Sequence, residues 1–248
     1  MKTLFLVLSA IRTKHGCFSY DQRLEQTLDT IKSIRKKVPD AIININESSA
    51  EGFLTTEEFE KLKNAGANGI YDYSKDPQVQ QIYKATENWD IIKNYTEMLI
   101  TAKSLLSTGS YEDFKTVSYH NHYIDRVFKL SGRYQLSESF DINNFTYEAL
   151  NDKYIFTNRR SSQFPSNITG GLTHQLMSRL WSWPMNKTKL VYARYELMIE
   201  HFVTMINKGL YVDIEHLMLK YFDGPNLVEL PNIGVTGKLG PNGIIVSD

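Results

Sequence analysis

Two cations and a glycine stand close together in the stretch Val127-Phe128-Lys129-Leu130-Ser131-Gly132-Arg133-Tyr134-Gln135-Leu136. Read as a strand, its alternation puts Lys129, Ser131, Arg133 and Gln135 on one face. Phe128, Leu130, Gly132, Tyr134 and Leu136 take the other. Lys and Arg on one face suit a phosphate or another anion: a guanidinium meets its oxygens in pairs, and an ammonium acts as a point charge. The same pattern suits an edge strand whose cations are solvated. Arg159-Arg160, at the end of a later β-type run, offer a further pair for a diphosphate or for water.

Carboxylates supply the second group of candidates. Glu47 follows the second apolar run, where an acid can accept the hydroxyl pair of a ribose; a helix cap or a solvated turn needs the same residue type. Glu196 and Glu200 share a helical row with Tyr192 and Val203, so either can serve as a general base if that row faces a cleft. His120, His122 and Asp125 are metal-ligand types at mixed spacing, which specifies no particular metal. Trp181 and Trp183 suit the wall of an acceptor site or an ordinary core. The Gly-rich segment 234–243 is no P-loop, because Asn232 stands where that motif needs glycine and Leu239 where it needs Ser or Thr. It reads as a turn-rich lid or edge. Spacing alone reveals no Ser/His/Asp or Cys/His arrangement.

The elements that must position these residues alternate. Leu4–Leu8 is apolar throughout, as in a strand covered on both faces, although the run also has the look of a short signal peptide. Leu24, Leu28, Ile31, Ile34 and Val38 then mark an amphipathic helix, and residues 41–46 a second strand. This opening implies a parallel pair with a right-handed crossover. Residues 69–73 read as a third strand, 78–106 as one long helix, 111–115 as a helical connector and 127–136 as a strand of the same sheet. Residues 153–157 read as a strand, 190–207 as a strong helix, and 227–230 and 244–246 as short strands. The pattern predicts an α/β fold, a mostly parallel sheet flanked by helices, with a helical and turn-rich C-terminal elaboration. In such sheets ligands sit at the carboxyl ends of strands. No G-x-G-x-x-G follows the first strand, which argues against a dinucleotide site.

The totals agree. At 248 residues, 42% hydrophobic and 23% charged, the chain can pack a normal core. Formal net charge is zero, so no global field draws it to nucleic acid or anionic membrane, although a local basic groove remains open. A single cysteine, Cys17, rules out an intrachain disulfide and fits a reducing, cytoplasmic compartment. No run approaches the length of a membrane span. With no internal repeat or linker, one domain is expected over residues 1–248, nucleotide-binding over about 1–136 and acceptor-side over about 137–248.

Three stretches share a wording beyond these patterns: Tyr20-Asp21-Gln22-Arg23-Leu24-Glu25-Gln26-Thr27-Leu28 continued by Thr30–Arg35, then Ile43–Ser49, then Phe128–Tyr134. With the closing Gly234-Val235-Thr236-Gly237 and Pro241-Asn242-Gly243, they resemble a family of glycosyltransferases met in bacteriophages, large DNA viruses and bacteria. The resemblance implies a GT-A-like, Rossmann-type sandwich that binds a nucleotide-sugar, with a UDP-sugar as the first expectation. By position Ser9, Ala10, Arg12 and Glu47 would hold base and ribose. Lys129, Ser131, Gly132 and Arg133, with Arg159 and Arg160, would hold the diphosphate. Such enzymes usually carry an Asp-x-Asp that binds a divalent metal, and this chain has none. Lys129 and Arg133 would then replace the metal's charge. The acceptor implied is a glycan or hydroxymethylated DNA, in a host cytoplasm if the protein is viral. The alternative is a non-catalytic nucleotide- or carbohydrate-binding protein of the same fold.

Overall fold

A computed structural model describes residues 1–13, 15–49, 51–107, 118–119, 122–146, 150 and 152–248. The expected connector at 111–115 and His120 lie outside these residues. The side chain of His122 does too.

The opening elements follow the sequence pattern. Strand β1 (Thr3–Ser9) is buried at every residue. Helix α1 (Tyr20–Lys37) starts on a capping box: the Ser19 hydroxyl accepts from the Gln22 N–H, and the Gln22 side chain accepts from the Ser19 N–H. Strand β2 (Ile42–Glu47) lies parallel beside β1, and β3 (Gly69–Asp72), reached through α2 (Thr56–Asn64), lies parallel beside β2.

The expected long helix is two helices, α3 (Pro77–Ala85) and α4 (Trp89–Ser107). The break falls at Asn88, whose side chain accepts from the N–H groups of Asp90 at 3.0 Å and Ile91 at 3.3 Å and so starts a new helix. After the short β4 (Ser118–Tyr119) and β5 (His122–Tyr123), the expected single strand 127–136 is also two pieces. Strand β6 (Arg126–Ser131) pairs in parallel with β1, the chain turns at Gly132-Arg133, and β7 (Tyr134–Leu136) joins a different sheet. A glycine relieves crowding at this turn. A Cβ on Gly132 would sit 3.1 Å from the Leu8 carbonyl oxygen and 3.2 Å from Ser9 Cβ, and the Gly132 N–H itself donates to Leu8 O at 2.6 Å.

The remaining elements are β8 (Tyr154–Thr157), β9 (Arg160–Ser161), β10 (His174–Gln175), β11 (Leu180–Pro184), α5 (Thr188–Asn207), α6 (Ile214–Phe222), β12 (Leu227–Leu230), β13 (Val235–Lys238) and β14 (Ile245–Ser247). Seven strands form the central sheet in the order β12-β8-β11-β6-β1-β2-β3, in which β11 runs against the rest. Strands β13, β14 and β7 form a small sheet beside it.

Alternation along β1 and β6 divides the core. Phe5, Val7, Phe128 and Leu130 meet Leu24, Leu28, Ile31 and Ile34 of α1. Leu4, Leu6 and Val127 pack on the opposite face with Met98 of α4, Tyr195 and Met198 of α5 and Leu217 of α6. Trp181 and Trp183 belong to this second layer and are fully buried. They are core residues and form no acceptor wall. Trp181 stacks on Phe156 and Trp183 packs at a tilt against Trp181, so burial accounts for the aromatic pair in the sequence.

Candidate functional site

The sheet order reverses direction at β1. From β1 the chain adds β2 and β3 on one side, then returns to place β6 on the other. Strand ends diverge at such a reversal and leave a crevice at their carboxyl ends. A cleft, partly open to solvent, occupies that position. Its floor is Leu8, Ser9 and Ala10 at the end of β1, and Ser131 of β6 with Gly132 and Arg133 of the turn after it. Arg23 and Thr27 of α1 form one side, and Lys93, Thr96, Glu97 and Ile100 of α4, with Tyr83 and Trp89, the other.

Helix α1 fixes the β6 turn through a row of hydroxyls that the sequence reading passed over. Thr27 Oγ1 donates to Gly132 O at 3.3 Å and Thr30 Oγ1 to Tyr134 O at 2.8 Å, and Ser33 Oγ accepts from the Leu136 N–H at 3.0 Å. The three positions recur every third residue, so they share one helical face.

Glu47 organises the loop after β1 and does not line the cleft. Its fully buried carboxylate accepts from Ser9 Oγ at 2.6 Å, the Ile11 N–H at 3.0 Å, the Ser49 N–H at 3.1 Å and Ser49 Oγ. Burial pushes its pKa up, against the pull of these donors. With its oxygens taken by the loop, it has none left for a ribose. Arg12 likewise turns aside, to an ion pair with Glu58 at 2.9 Å. Of the four residues expected to hold base and ribose, Ser9 and Ala10 reach the cleft.

Lys129 is wholly buried. Its ammonium donates to Glu97, to Ser178 O at 2.7 Å and to Ser131 Oγ at 3.0 Å. It is therefore spent on an internal network and not free for a diphosphate. Glu97, the one carboxylate lining the cleft among the described residues, is held ionised: burial raises its pKa, but Lys129 and Lys93 outweigh burial and keep it below the ordinary range.

Three cations remain. Arg23, Lys93 and Arg133 line the cleft, and none makes an ion pair among the described residues. Arg23 is 3% exposed. It donates to His15 O at 2.6 Å, and its Nε is buried without a partner. Burial and then the neighbouring Arg133 lower its pKa, against a smaller pull from Glu47. Arg133 also has a buried, unpartnered Nε. Trp89 adds an aromatic wall whose outer face stacks on His15 with ring centroids 4.3 Å apart. Arg23 is the fourth residue of α1, and a cation in the first turn of the helix after β1 was the signal for it in the sequence.

The other expected residues lie elsewhere. Arg159 pairs with Asp223 at 3.0 Å and Glu229 at 2.6 Å on the far edge of the sheet, and these acids raise its pKa. Arg160 pairs with the buried carboxylate of Asp248, which also holds Arg179. Glu196 and Glu200 are exposed on α5 and line a separate groove with Gln78, Tyr95 and Lys103, so neither faces the cleft. His216, buried on α6, joins Asp213 at 2.6 Å and Ser162 at 2.8 Å. Ser162 Oγ is already bonded to both backbone groups of Phe164, so this chain ties the 162–164 loop to α6. Where the resemblance calls for Asp-x-Asp, the turn presents Ser131, Gly132 and Arg133, a cation and no carboxylate. No three His, Cys, Asp or Glu side chains among the described residues are grouped to hold a metal. This donor set does not fit a resident divalent cation.

No protein-family model matches the chain, and no curated protein matches it by sequence. Among solved structures it is similar to the galactosyltransferase LgtC in complex with donor and acceptor sugar analogues. That match has 10% identity and a TM-score of 0.54 over 92% of this chain and 73% of that one. A 4-diphosphocytidyl-2C-methyl-D-erythritol synthase from Anaerococcus prevotii aligns over 98% of this chain and 89% of its own, at 15% identity and a TM-score of 0.40, too remote to bear on the fold. Among the described residues no helix is long and apolar enough to cross a membrane. The mostly parallel sheet, its flanking helices and the likeness to LgtC make this a GT-A-like α/β fold.

Proposed function

We propose that the cleft binds a nucleoside-diphosphate sugar and that the protein transfers the sugar to an acceptor hydroxyl. One observation carries this reading: Arg23, Lys93 and Arg133 converge on the cleft with no ion pair among the described residues, whereas Arg12, Lys129, Arg159 and Arg160 are each paired. The buried Arg23 beside the half-buried Arg133 is a costly arrangement, and a diphosphate between them lowers the cost. The same cations stabilise the charge that builds on the leaving diphosphate, in place of a metal. Trp89 and Tyr83 offer aromatic faces for the base. LgtC, of like fold, was solved with a donor sugar analogue.

Glu97 takes the catalytic part first assigned to Glu196 and Glu200. In an inverting displacement the acceptor oxygen attacks the anomeric carbon, the bond to the diphosphate oxygen breaks, and Glu97 receives the acceptor proton. The test is turnover of UDP-sugars with EDTA present, with oligosaccharides and hydroxymethylated DNA as acceptor arms. Wild type should release UDP without added metal. Glu97→Gln should lower kcat about 10²- to 10⁴-fold with UDP affinity kept. A strict need for Mn²⁺ or Mg²⁺ would refute the cationic replacement, and wild-type turnover in Glu97→Gln would remove Glu97 as base. A second reading, a nucleotide-binding protein without chemistry, is favoured by the prior pairing of Glu97 with Lys129. It predicts UDP binding and no turnover with any acceptor.

A further inference from the structure

The Gly-rich segment near the C-terminus has a structural position that the cleft alone does not explain. Strand β13 pairs with β7, the strand that leaves the Gly132-Arg133 turn, through Val235 to Leu136 and Gly237 to Tyr134. The β13–β14 hairpin thereby carries its tip, residues 239–243, to the loop after β1. There the Gly240 carbonyl accepts from the Cys17 N–H at 3.0 Å, and a Cβ on Gly243 would lie 3.7 Å from Cys17 Sγ. The tip thus joins the β1–α1 loop to the back of Arg133.

The fit at Gly240 is tight on one side. A Cβ there would fall 2.7 Å from Arg133 Nη1 and 3.2 Å from its Cζ. The opposing loop has a matching glycine, Gly16, whose Cβ would fall 2.7 Å from Arg23 Nη2 and 2.7 Å from the Gly240 oxygen. Two glycines therefore stand against two of the three cleft cations that have no ion pair among the described residues. Gly16 has φ +93°, so backbone conformation alone explains it. Gly240 lies outside the left-handed region, which leaves the contact with Arg133 as its reason.

Resting on the nucleotide-sugar reading above, we infer that Gly240 is a positioning residue: the hairpin tip sets the Arg133 guanidinium against the diphosphate of the donor. Arg133 has no ion pair among the described residues, and its neighbour Tyr134 has Arg179 as well as Arg133 near its ring. Arg179 is fixed by Asp248. A methyl group at Gly240 displaces the end of a flexible side chain and nothing in the backbone. Gly240→Ala should therefore fold normally and bind phosphate poorly.

The experiment is calorimetric titration of wild type, Gly240→Ala, Arg133→Ala and the double variant with UDP and with uridine, alongside thermal melts. Gly240→Ala should melt within about 2 °C of wild type. Its Kd for UDP should rise about tenfold, with uridine affinity unchanged, and the substitution should add nothing in the Arg133→Ala background. A UDP affinity equal to wild type, an equal loss for uridine, full additivity with Arg133→Ala, or an unfolded Gly240→Ala would each overturn the inference. Wild type that binds no nucleoside diphosphate would instead refute the nucleotide reading, and the positioning role with it.

Discussion

The pairing of Lys129 decides what each charged residue at the cleft is free to do. Its side chain is wholly buried, Glu97 is 14% exposed, and Ser178 O takes a further proton of the ammonium. Removing one member of such a pair leaves a buried charge without a partner. Lys129→Met should therefore cost about 3–5 kcal/mol at neutral pH, measured by urea unfolding. The pH dependence has a definite sign. The folded pKa of Glu97 lies below its ordinary 4.5, so its contribution is present above that value and is lost as pH falls through the folded pKa. In Lys129→Met the same carboxyl is favoured neutral, so the deficit of the variant should begin to shrink as pH falls from 7 towards 4.5 and shrink further below that value, where the wild type loses its own contribution. A deficit constant from pH 7 to pH 4 would show that the pair does not govern Glu97. Alternation had put Lys129 and Ser131 on one face correctly, but it could not reveal that Glu97, from a distant helix, already neutralises the lysine. Periodicity reports which way a side chain points, not what waits there.

The elements of the first half were legible because each carries its own signals. The apolar run of β1, the stripe of α1 and the apolar core of β2 formed where expected. The two failures have local causes. Asn88 ends one helix and starts another with a side-chain cap inside a continuous apolar pattern, and Gly132 turns the chain out of the sheet where alternation runs on unbroken. Helix α1 does more than cover the sheet, since its capped first turn carries Arg23 and its Thr27, Thr30 and Ser33 clasp the segment after β6. Ser19→Ala removes one arm of the capping box and should cost about 1 kcal/mol, seen as a lower melting temperature. An unchanged melt would mean that tertiary packing, not the cap, holds the start of the helix.

In the molecule as a whole, topology assembles the site. Strand β6 returns to the side of β1 opposite β2 and β3, and the crevice so made gathers residues from β1, β6, α1 and α4. The sequence announced an α/β sheet and a cationic segment, and both are present. It could not announce which cations stay unpaired, because that depends on contacts such as Arg159 with Asp223 and Glu229, and Arg160 with Asp248, far apart along the chain. The set of Arg23, Lys93 and Arg133, with no ion pair among the described residues, therefore became visible only in three dimensions. The most direct measurement is a titration with UDP in EDTA, comparing wild type, Arg133→Ala and the double variant Glu196→Gln/Glu200→Gln. Saturable one-to-one binding by wild type, a loss of tenfold or more in Arg133→Ala, and wild-type affinity in the Glu196/Glu200 variant are the expected result. No binding by wild type without metal, or undiminished binding by Arg133→Ala, would contradict it.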